Sequence, residues 1–398
     1  MAGICYVAPD VEIPSPRGAS THVVELSAAL QSLGTDVHVV CLRSPGQLKT
    51  ETIRGVTFHR VYRAPGGLAV FRKRTSIGGR GRSPDSFLSR SYRFYLQTVN
   101  ALRVGLKTSK LVRDFKLVGI LERETAFGAG ALASLFTGRP MLLEIIGPKT
   151  SPLSVRRCSH LFAYSEAMVP VGGRWKAEYV EAAVNTEIFK DDPVAARTIK
   201  AKYGLERSIV VGYVGTFQSF HGVNDLLDAA KLVRVSLPTV KLLLVGPRSA
   251  GAIAYAKKLG LQNTAVFTGP VPYEQIPALI NAADILVAPY NILGSERDVQ
   301  GIGSPLKVLE YMAVGKATIG SSLPQVQSMI SDRTTGLIFP QGDARALADK
   351  IVSLAMNEDE RIRLGTNASR TAKERYSWRH LAEKFGTAMA RARLKAGE

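Results

Sequence analysis

Cysteine is scarce in this sequence. Its three cysteines, Cys5, Cys41 and Cys158, lie far apart among 398 residues and form no C-x-x-C pair. Disulfide frameworks and Cys-based zinc sites need clustered cysteines. The sequence therefore argues against both, and we expect a protein of the reducing cytoplasm.

Long apolar stretches are also missing. No uninterrupted run approaches the roughly 20 apolar residues of a membrane-spanning helix. The first eight residues, MAGICYVA, lack the basic segment that opens a signal peptide and are typical of a first buried strand. These features predict a cytoplasmic location, with peripheral attachment to the inner face of the membrane left open.

Acidic residues are in short supply. The chain has 33 Asp and Glu against 52 Lys and Arg, a formal net charge of +19 and a pI near 9.9. Such a balance predicts attraction to an anionic partner, which for charge alone is a membrane surface, nucleic acid or a phosphorylated substrate. No nucleic-acid recognition module is present, so nucleic acid is not an expected partner.

Much of the positive charge is concentrated in residues 71–116. This segment holds twelve Lys or Arg against two Asp, a net charge of +10. Its first part is rich in Gly, Ser and Arg and predicts a loop, and the part from Phe87 onward has helical periodicity. A basic helix with aromatic side chains is typical of contact with an anionic membrane surface, and a basic rim around an anionic acceptor site is the alternative.

Short apolar runs alternate with helical patterns along the whole chain. In the first half, residues 3–8, 36–42, 56–60, 117–121, 141–145 and 160–165 read as strands, and Thr21–Ser32 as a helix. In the second half, residues 209–215, 241–246, 265–268, 285–288, 317–320 and 336–339 read as strands, with helices over 223–235 and 343–355. This alternation predicts α/β architecture with two parallel sheets, each covered by helices.

A polar segment divides the two halves. Residues 185–193, NTEIFKDDP, contain charged residues and a proline between the two α/β patterns. We predict an N-terminal domain over 1–188, completed by a final helix at 379–398, and a C-terminal domain over 189–378. Two such Rossmann-like domains would face each other across a cleft at the carboxyl ends of their strands.

The clearest local signal is a helix start that follows the strand at 285–288. Ser304 predicts an N-cap, Pro305 the first helical position and Gly315 the end of the helix. The amides of Leu306 and Lys307 would then be unpaired and suited to bind a diphosphate, and Glu310 would reach a ribose about 6 Å further along. A helix start without any ligand is an equally weighted alternative.

Ordered motifs run over nearly the whole chain. They are GASTH at 18–22, NTEIF at 185–189, VGTF at 214–217, HGV at 221–223, FTG at 267–269, ADILVAP at 283–289, SPLKVLEYMA at 304–313 and YSW at 376–378. Together they resemble the retaining glycosyltransferases of family 4, which have the GT-B fold. The resemblance implies transfer of a sugar from a nucleotide-diphosphate donor to an acceptor hydroxyl, with retention and without a metal. The nucleotide sugar would be a substrate, and no cofactor is implied.

The resemblance also assigns roles to residues. It places Gly18, Gly215 and Thr216 beside the donor diphosphate and implies that Glu310 binds the ribose. The family's earlier glutamate, separated from its partner glutamate by seven residues, is replaced by Ile302. Glu296 or Asp298 would then hold the donor sugar, and solvated loop charges are the alternative.

Two further departures concern charge. The basic residues that the family places after the first strand of the donor domain are absent, and Thr216 and His221 stand nearby. Lys307 is the expected replacement at the phosphates, and His221 is assigned either to the site or to capping the next helix. Arg123 and Glu144 stand where many members have histidines, so they are expected to contact the acceptor or donor sugar, or to support residues that do.

The missing glutamate and phosphate lysine also allow a second class of function. A catalytically weak GT-B relative that serves as a binding or partner subunit would keep the fold and lose these groups. An active glycosyltransferase is the preferred prediction, with the nucleotide base, the sugar and the acceptor left open.

Overall fold

The computed structural model describes residues 3–15, 18–63, 87–124, 127–146, 150–164, 166–292 and 305–397. The chain forms two compact units. Unit 1 comprises Met1–Glu181 and Trp378–Glu398, and unit 2 comprises Ala182–Ser377. Each unit is built on one β-sheet.

The strands within these residues are, in chain order, β1 (Gly3–Val7), β2 (Asp36–Arg43), β3 (Thr50–Ile53), β4 (Val56–Tyr62), β5 (Gly119–Arg123), β6 (Met141–Ile145), β7 (His160–Ala163), β8 (Ala177–Tyr179), β9 (Ile209–Val214), β10 (Val240–Val245), β11 (Ala265–Gly269), β12 (Ile285–Ala288), β13 (Ala317–Ser321) and β14 (Leu337–Phe339).

The α-helices are α1 (Gly18–Ser32), α2 (Phe87–Asp114), α3 (Ala129–Thr137), α4 (Pro152–Arg157), α5 (Pro193–Lys202), α6 (Val223–Ser236), α7 (Ala250–Lys258), α8 (Ile276–Asn281), α9 (Leu306–Val314), α10 (Pro324–Gln327), α11 (Ala344–Met356), α12 (Glu358–Arg375) and α13 (Trp378–Lys395). Short 3₁₀ turns cover Glu166–Met168, Val171–Lys176, Ser219–His221 and Tyr273–Gln275.

The sheet of unit 1 has the order β3-β4-β2-β1-β5-β6-β7-β8. All neighbours are parallel except β3 and β4, which form a hairpin. Every residue of β1 and of β6 is buried, as expected for strands covered on both faces by helices. The C-terminal helix α13 packs against α1 and so belongs to this unit.

The sheet of unit 2 has the order β11-β10-β9-β12-β13-β14 and is parallel throughout. Side-chain caps fix several of its helix starts: Asp192 caps α5, Ser249 caps α7, Asp343 caps α11 and Asn357 caps α12. The two parallel α/β units are the architecture that the alternation of strands and helices predicts.

The division between the units falls between Glu181 and Ala182, whereas the sequence placed it between 188 and 189. The segment in question is bound to unit 2. The amide of Val184 donates to the Tyr376 carbonyl at 2.7 Å, and Asn281 Nδ2 donates to the Lys190 carbonyl at 2.9 Å. The polar residues that resemble a linker are therefore hydrogen-bonded structure, which explains the difference.

Two short edge strands were not predicted. The strand β3 joins β4 through Arg54 and Gly55, which have φ values of 50° and 81°. Positive φ at both central residues is typical of a type I′ hairpin turn, and Arg-Gly is a weak sequence signal for it. The other missed strand, β8, has three residues and pairs along one side only.

None of the described helices is long and apolar enough to cross a membrane. The longest, α2, has 28 residues and carries charge along its length.

Candidate functional site

The candidate site lies within unit 2, where β9 and β12 run side by side. From β9 the chain continues to β10 and β11 on one side of the sheet, and from β12 to β13 and β14 on the other. At such a switch point the connections after the two strands diverge, and a crevice forms at their carboxyl ends. The segments after β9 and β12 and the start of α9 all contribute side chains here.

Two glycines allow the backbone to come close at this place. Gly215 follows β9 with φ +150°, and a Cβ there would lie 2.7 Å from Lys307 Nζ. Gly222 has φ +65°, and its Cβ would lie 1.6 Å from the Pro289 carbonyl oxygen. Both positions have backbone conformations that other residues rarely adopt, and at Gly222 the Pro289 carbonyl also excludes a Cβ.

The helix start differs in one detail from the prediction. Pro305 is the N-cap, with ψ 70°, and Leu306 is the first helical residue. The Pro305 carbonyl accepts from Val308 N at 2.9 Å. The amides of Leu306 and Lys307 belong to the first turn, where no intrahelical acceptor exists. Gly315, with φ +81°, ends the helix as predicted.

Lys307 is held by two tyrosines. Its ammonium donates to Tyr213 Oη at 3.1 Å and lies 4.4 Å from the centre of the Tyr213 ring and 4.8 Å from that of Tyr290. Burial lowers the pKa of Lys307 to about 7, and the charge of Glu310 only partly offsets this effect. Aromatic faces attract the cation but do not neutralise it, so the site keeps a poorly compensated positive charge.

Glu310 lies one turn further along α9 and is half-buried. The Tyr273 hydroxyl donates to its Oε1 at 3.4 Å. Burial raises the pKa of Glu310 to about 7, against the opposing effects of this hydrogen bond and of Lys307. Cation and carboxylate thus stand on one helix face, and both have pKa values displaced toward neutrality.

His221 contacts Thr216 and so joins the two ends of the loop after β9. Its Nδ1 lies 2.9 Å from Thr216 Oγ1 and 2.7 Å from the Thr216 carbonyl oxygen. Burial and the nearby charge of Lys307 lower the pKa of His221 to about 4. The ring is therefore neutral at pH 7, Nδ1 carries the proton donated to the Thr216 carbonyl, and the positive charge of the site comes from Lys307.

The tyrosines of the site were missed by the sequence analysis. Tyr213 Oη donates to the Thr216 carbonyl at 2.6 Å, and Tyr311 Oη accepts from Val214 N at 2.8 Å. Tyr213 and Tyr311 are fully buried. In the sequence, Tyr213 is the tyrosine of the strand IVVGYVG, and Tyr290 follows Pro289 after the strand at 285–288. A tyrosine in or beside a buried strand more often indicates core packing than a binding site.

Other predicted site residues lie elsewhere. Arg123 and Glu144 end neighbouring strands β5 and β6 of unit 1, and Gly18 begins α1 in the same unit. Glu296, Asp298 and Ser304 fall outside the described residues.

Comparison with known proteins relates this site to glycosyltransferases. Residues 196–371 match the family model of glycosyl transferases group 1. The matched segment lies within unit 2 and contains Gly215, Thr216, His221, Lys307 and Glu310.

Relatives align with about half of the chain. A GDP-mannose-dependent alpha-(1-6)-phosphatidylinositol monomannoside mannosyltransferase of Mycobacterium tuberculosis is 25% identical over 52% of this chain and 54% of its own length. A D-inositol 3-phosphate glycosyltransferase of Corynebacterium urealyticum is 27% identical over 44% of this chain and 41% of its own length. The chain thus spans about half the length of the curated relatives it matches.

Solved structures match the whole chain. HepE of Anabaena in complex with UDP and glucose superimposes with a TM-score of 0.66, at 16% identity over 98% of this chain and 100% of its own. Sucrose-phosphate synthase of Thermosynechococcus elongatus gives a TM-score of 0.66 at 16% identity over 100% of both chains. The predicted fold is confirmed: it is GT-B.

Proposed function

We propose that this protein is a nucleotide-sugar-dependent glycosyltransferase whose unit 2 binds the donor. The observation that carries the proposal is Lys307, whose half-buried side chain is held at the start of α9 by Tyr213 and Tyr290. It stands beside first-turn amides at a switch point of a parallel sheet. The family match of this segment and the GT-B fold support the same conclusion.

The diphosphate is the natural counterpart of this charge. First-turn amides and the helix dipole favour an anion, and Lys307 adds a full positive charge. At about 4 Å and an effective dielectric constant near 20, one charge pair contributes about 4 kcal/mol. That is enough to return the pKa of Lys307 toward its ordinary range, so the bound donor would keep the ammonium protonated.

Glu310 is assigned to the ribose. It follows Lys307 by three residues, about 4.5 Å along the helix axis. A carboxylate accepts two hydroxyl hydrogen bonds, which suits a vicinal diol. Tyr273, whose hydroxyl reaches the carboxylate, fixes its orientation. His221 is assigned a neutral role, shaping the loop through Thr216.

The chemical step follows from these assignments. Cleavage of the bond between the anomeric carbon and phosphate leaves negative charge on the diphosphate. Fixed amides and Lys307 stabilise that charge more as it develops, which lowers the barrier. The acceptor oxygen forms the new glycosidic bond at the anomeric carbon, and its proton passes to an oxygen of the departing diphosphate.

Retention is part of the proposal and is supported by the family 4 motifs. The anomeric configuration of the product, measured by NMR coupling constants, should equal that of the donor. An inverted product would overturn this part and leave the donor site untouched.

The donor site can be tested by thermal shift with UDP-, GDP- and ADP-sugars, because a ligand that binds only the native state raises Tm. At least one should raise the Tm of the wild type and of Lys316→Met, a control at the far end of α9 where Lys316 Nζ pairs with Asp191 at 3.3 Å. Lys307→Met and Glu310→Gln should lose most of the rise. An equal rise in Lys307→Met would refute the site.

A membrane-associated acceptor is a second element of the proposal. The helix α2 exposes Phe94 and Tyr95, which are 62% and 60% accessible, together with Leu102 and Leu106. Arg103 and Lys110 are also exposed on this helix. Exposed aromatics next to basic side chains favour an anionic lipid surface. The two relatives named above act on inositol-containing compounds, one of them a phospholipid.

Vesicle co-sedimentation tests this element. The wild type should bind vesicles rich in phosphatidylinositol and not those of phosphatidylcholine alone. Phe94→Ser with Tyr95→Ser should bind weakly, whereas Val235→Ser, a change at an 84% exposed residue of unit 2, should bind as the wild type does. No binding of the wild type at low salt would end the membrane proposal.

A further inference from the structure

Five polar side chains meet at the carboxyl edge of the unit 1 sheet. Tyr6 comes from β1, Arg123 from β5, Glu144 from β6, Tyr164 from the residue after β7, and His22 from α1. We call them the polar cluster. The carboxyl edge of a parallel sheet is where α/β proteins bind ligands, so the hydrogen bonding of these groups matters.

Glu144 is the fully buried centre of the cluster. Its carboxylate accepts from Tyr6 Oη at 2.7 Å, Tyr164 Oη at 2.9 Å and His22 Nε2 at 2.7 Å. Burial alone would raise its pKa, but His22, Arg123 and the Tyr6 hydroxyl together hold the pKa of Glu144 at about 2. The carboxylate is thus charged, enclosed and occupied by protein donors, so it does not meet a ligand itself.

His22 is oriented by this carboxylate. Because Nε2 donates to Glu144, a neutral ring has its free lone pair on Nδ1. The Tyr164 and Trp378 rings stand edge-on, with centroids 6.0 and 5.0 Å from that of His22. The side chain is 15% accessible, and the described residues give Nδ1 no hydrogen-bond partner. One acceptor atom is therefore fixed in place and uncommitted.

Arg123 supplies the complementary donor. It pairs in register with Glu144 on the adjacent strand, so the two side chains lie on the same face of the sheet. Its Nε is buried, and within the described part of the chain it has no hydrogen-bond acceptor. A buried N–H without an acceptor destabilises the protein, and a ligand oxygen would recover that loss.

We propose that the polar cluster binds an uncharged hydroxyl group of the acceptor, with His22 Nδ1 accepting a hydrogen bond from the hydroxyl and Arg123 Nε donating one to its oxygen. Glu144 is the positioning residue that fixes the His22 tautomer. The formal charges of Arg123 and Glu144 cancel, so the cluster has no net attraction for phosphate. A sugar or polyol hydroxyl satisfies both free groups, because it is donor and acceptor at once. This inference rests on the proposed glycosyltransferase function, because only that function requires an acceptor.

The tautomer is tested without any ligand. In protein with ¹⁵N-labelled histidine, long-range proton–nitrogen correlations are recorded while the pH is raised until the His22 ring is neutral, and the neutral ring should be protonated on Nε2. The His22 signals are assigned by their loss in His22→Gln. A neutral ring protonated on Nδ1 would overturn the proposal.

Two probes then test the ligand class. Titration with myo-inositol should shift the Nδ1 resonance, and inorganic phosphate at equal concentration and ionic strength should shift it less. A response to phosphate alone, or to neither probe, would contradict hydroxyl recognition at His22.

A matched pair of variants separates recognition from folding. His22→Gln keeps a donor near the Nε2 position for Glu144 and removes the Nδ1 acceptor. His22→Asn keeps an acceptor near the Nδ1 position and removes the bond to Glu144. We expect His22→Gln to retain the wild-type Tm and nucleotide-sugar affinity but to raise the acceptor KM at least tenfold, and His22→Asn to lose Tm while keeping part of the acceptor affinity.

An unchanged acceptor KM in a folded His22→Gln protein would sink the inference. The thermal shift of His22→Gln with nucleotide sugars tests the proposed function and not this inference. If neither it nor the wild type responds to any nucleotide sugar, the proposed function fails, while the tautomer and polyol experiments still decide the chemistry of the cluster.

Discussion

The two units treat buried charge in opposite ways. In unit 2, Lys307 and Glu310 have few partners among the described residues, and burial moves both pKa values to about 7. In unit 1, Glu144 is more deeply buried, yet the charge and hydrogen bond of His22, together with the charge of Arg123, hold its pKa at about 2. Burial is common to both, so the difference lies in the charges and hydrogen-bond donors around each group.

The contrast separates a ligand site from a supporting site. A charged group whose pKa is displaced by burial alone has free energy to gain from a ligand of opposite charge. A charged group already saturated with donors has nothing further to offer a ligand, and instead orients its neighbours. Lys307 is of the first kind and Glu144 of the second.

The largest expected effect is at Lys307. Lys307→Met should lower kcat/KM for sugar transfer about 100- to 1,000-fold, the range found when one group that stabilises a developing anion is removed. The far-UV spectrum and Tm should stay near those of the wild type, because the ammonium contributes little to folding. Steady-state kinetics with the nucleotide sugar identified by thermal shift measure the effect, and a loss below fivefold would place Lys307 outside the site.

The second largest effect is expected on stability, at Gly222, where the segments after β9 and β12 come close together. Gly222→Ala should destabilise the protein by about 3 kcal/mol or more, because its Cβ would meet the Pro289 carbonyl. Gly204 is a matched control with the same φ of +65° and no atom within 4 Å of its Cβ. Gly204→Ala should cost about 1 kcal/mol. Urea denaturation compares them, and equal losses would show that the contact with Pro289 does not matter.

The next prediction concerns how the free energy of unfolding depends on pH through Glu144. Its folded pKa is depressed from 4.5 to about 2, so its stabilisation is present above pH 4.5 and is lost as pH falls toward 2. The window corresponds to about 3 kcal/mol. Glu144→Gln should remove this part of the acid dependence, as measured by denaturation between pH 2 and 5. An unchanged pH profile would mean that the donors do not hold the charge.

The smallest effect is a proton taken up with the donor. Since burial puts the pKa of Lys307 near 7, a nucleotide diphosphate should raise it and draw in up to one proton at pH 7.5. Glu310, whose pKa burial raises to about 7, acts in the opposite sense and to a smaller extent, because ribose hydroxyls that donate to its carboxylate favour the charged form. Calorimetry in buffers of different ionisation enthalpy measures the uptake. Zero uptake in the wild type would show that Lys307 is already fully charged.

The sequence was informative where a pattern recurs or a motif has a mechanism. Parallel strands such as Ile285–Ala288 read as continuous apolar runs, and the helix at Leu306–Val314 is bounded by proline and glycine. The rise of a helix also predicted that Glu310 lies about 6 Å beyond the Leu306 amide. These features depend on neighbours in the sequence.

Other features depend on distant contacts and left little trace. The pairing of Lys307 with Tyr213 joins residues 94 positions apart, and that of His22 with Glu144 joins residues 122 apart. Nothing local distinguishes Tyr213 from a core tyrosine, or His22 from a surface histidine of an amphipathic helix. The boundary near 182 was missed for the same reason, since the hydrogen bond from Val184 to Tyr376 is a tertiary contact.

The central claim is that the start of α9, with Lys307, binds the donor diphosphate, and a crystal structure of the complex with a nucleotide diphosphate tests it most directly. We predict phosphate oxygens within about 3.2 Å of the Leu306 and Lys307 amides and of Lys307 Nζ. A nucleotide bound in unit 1, or a diphosphate seated away from these three groups, would contradict the account.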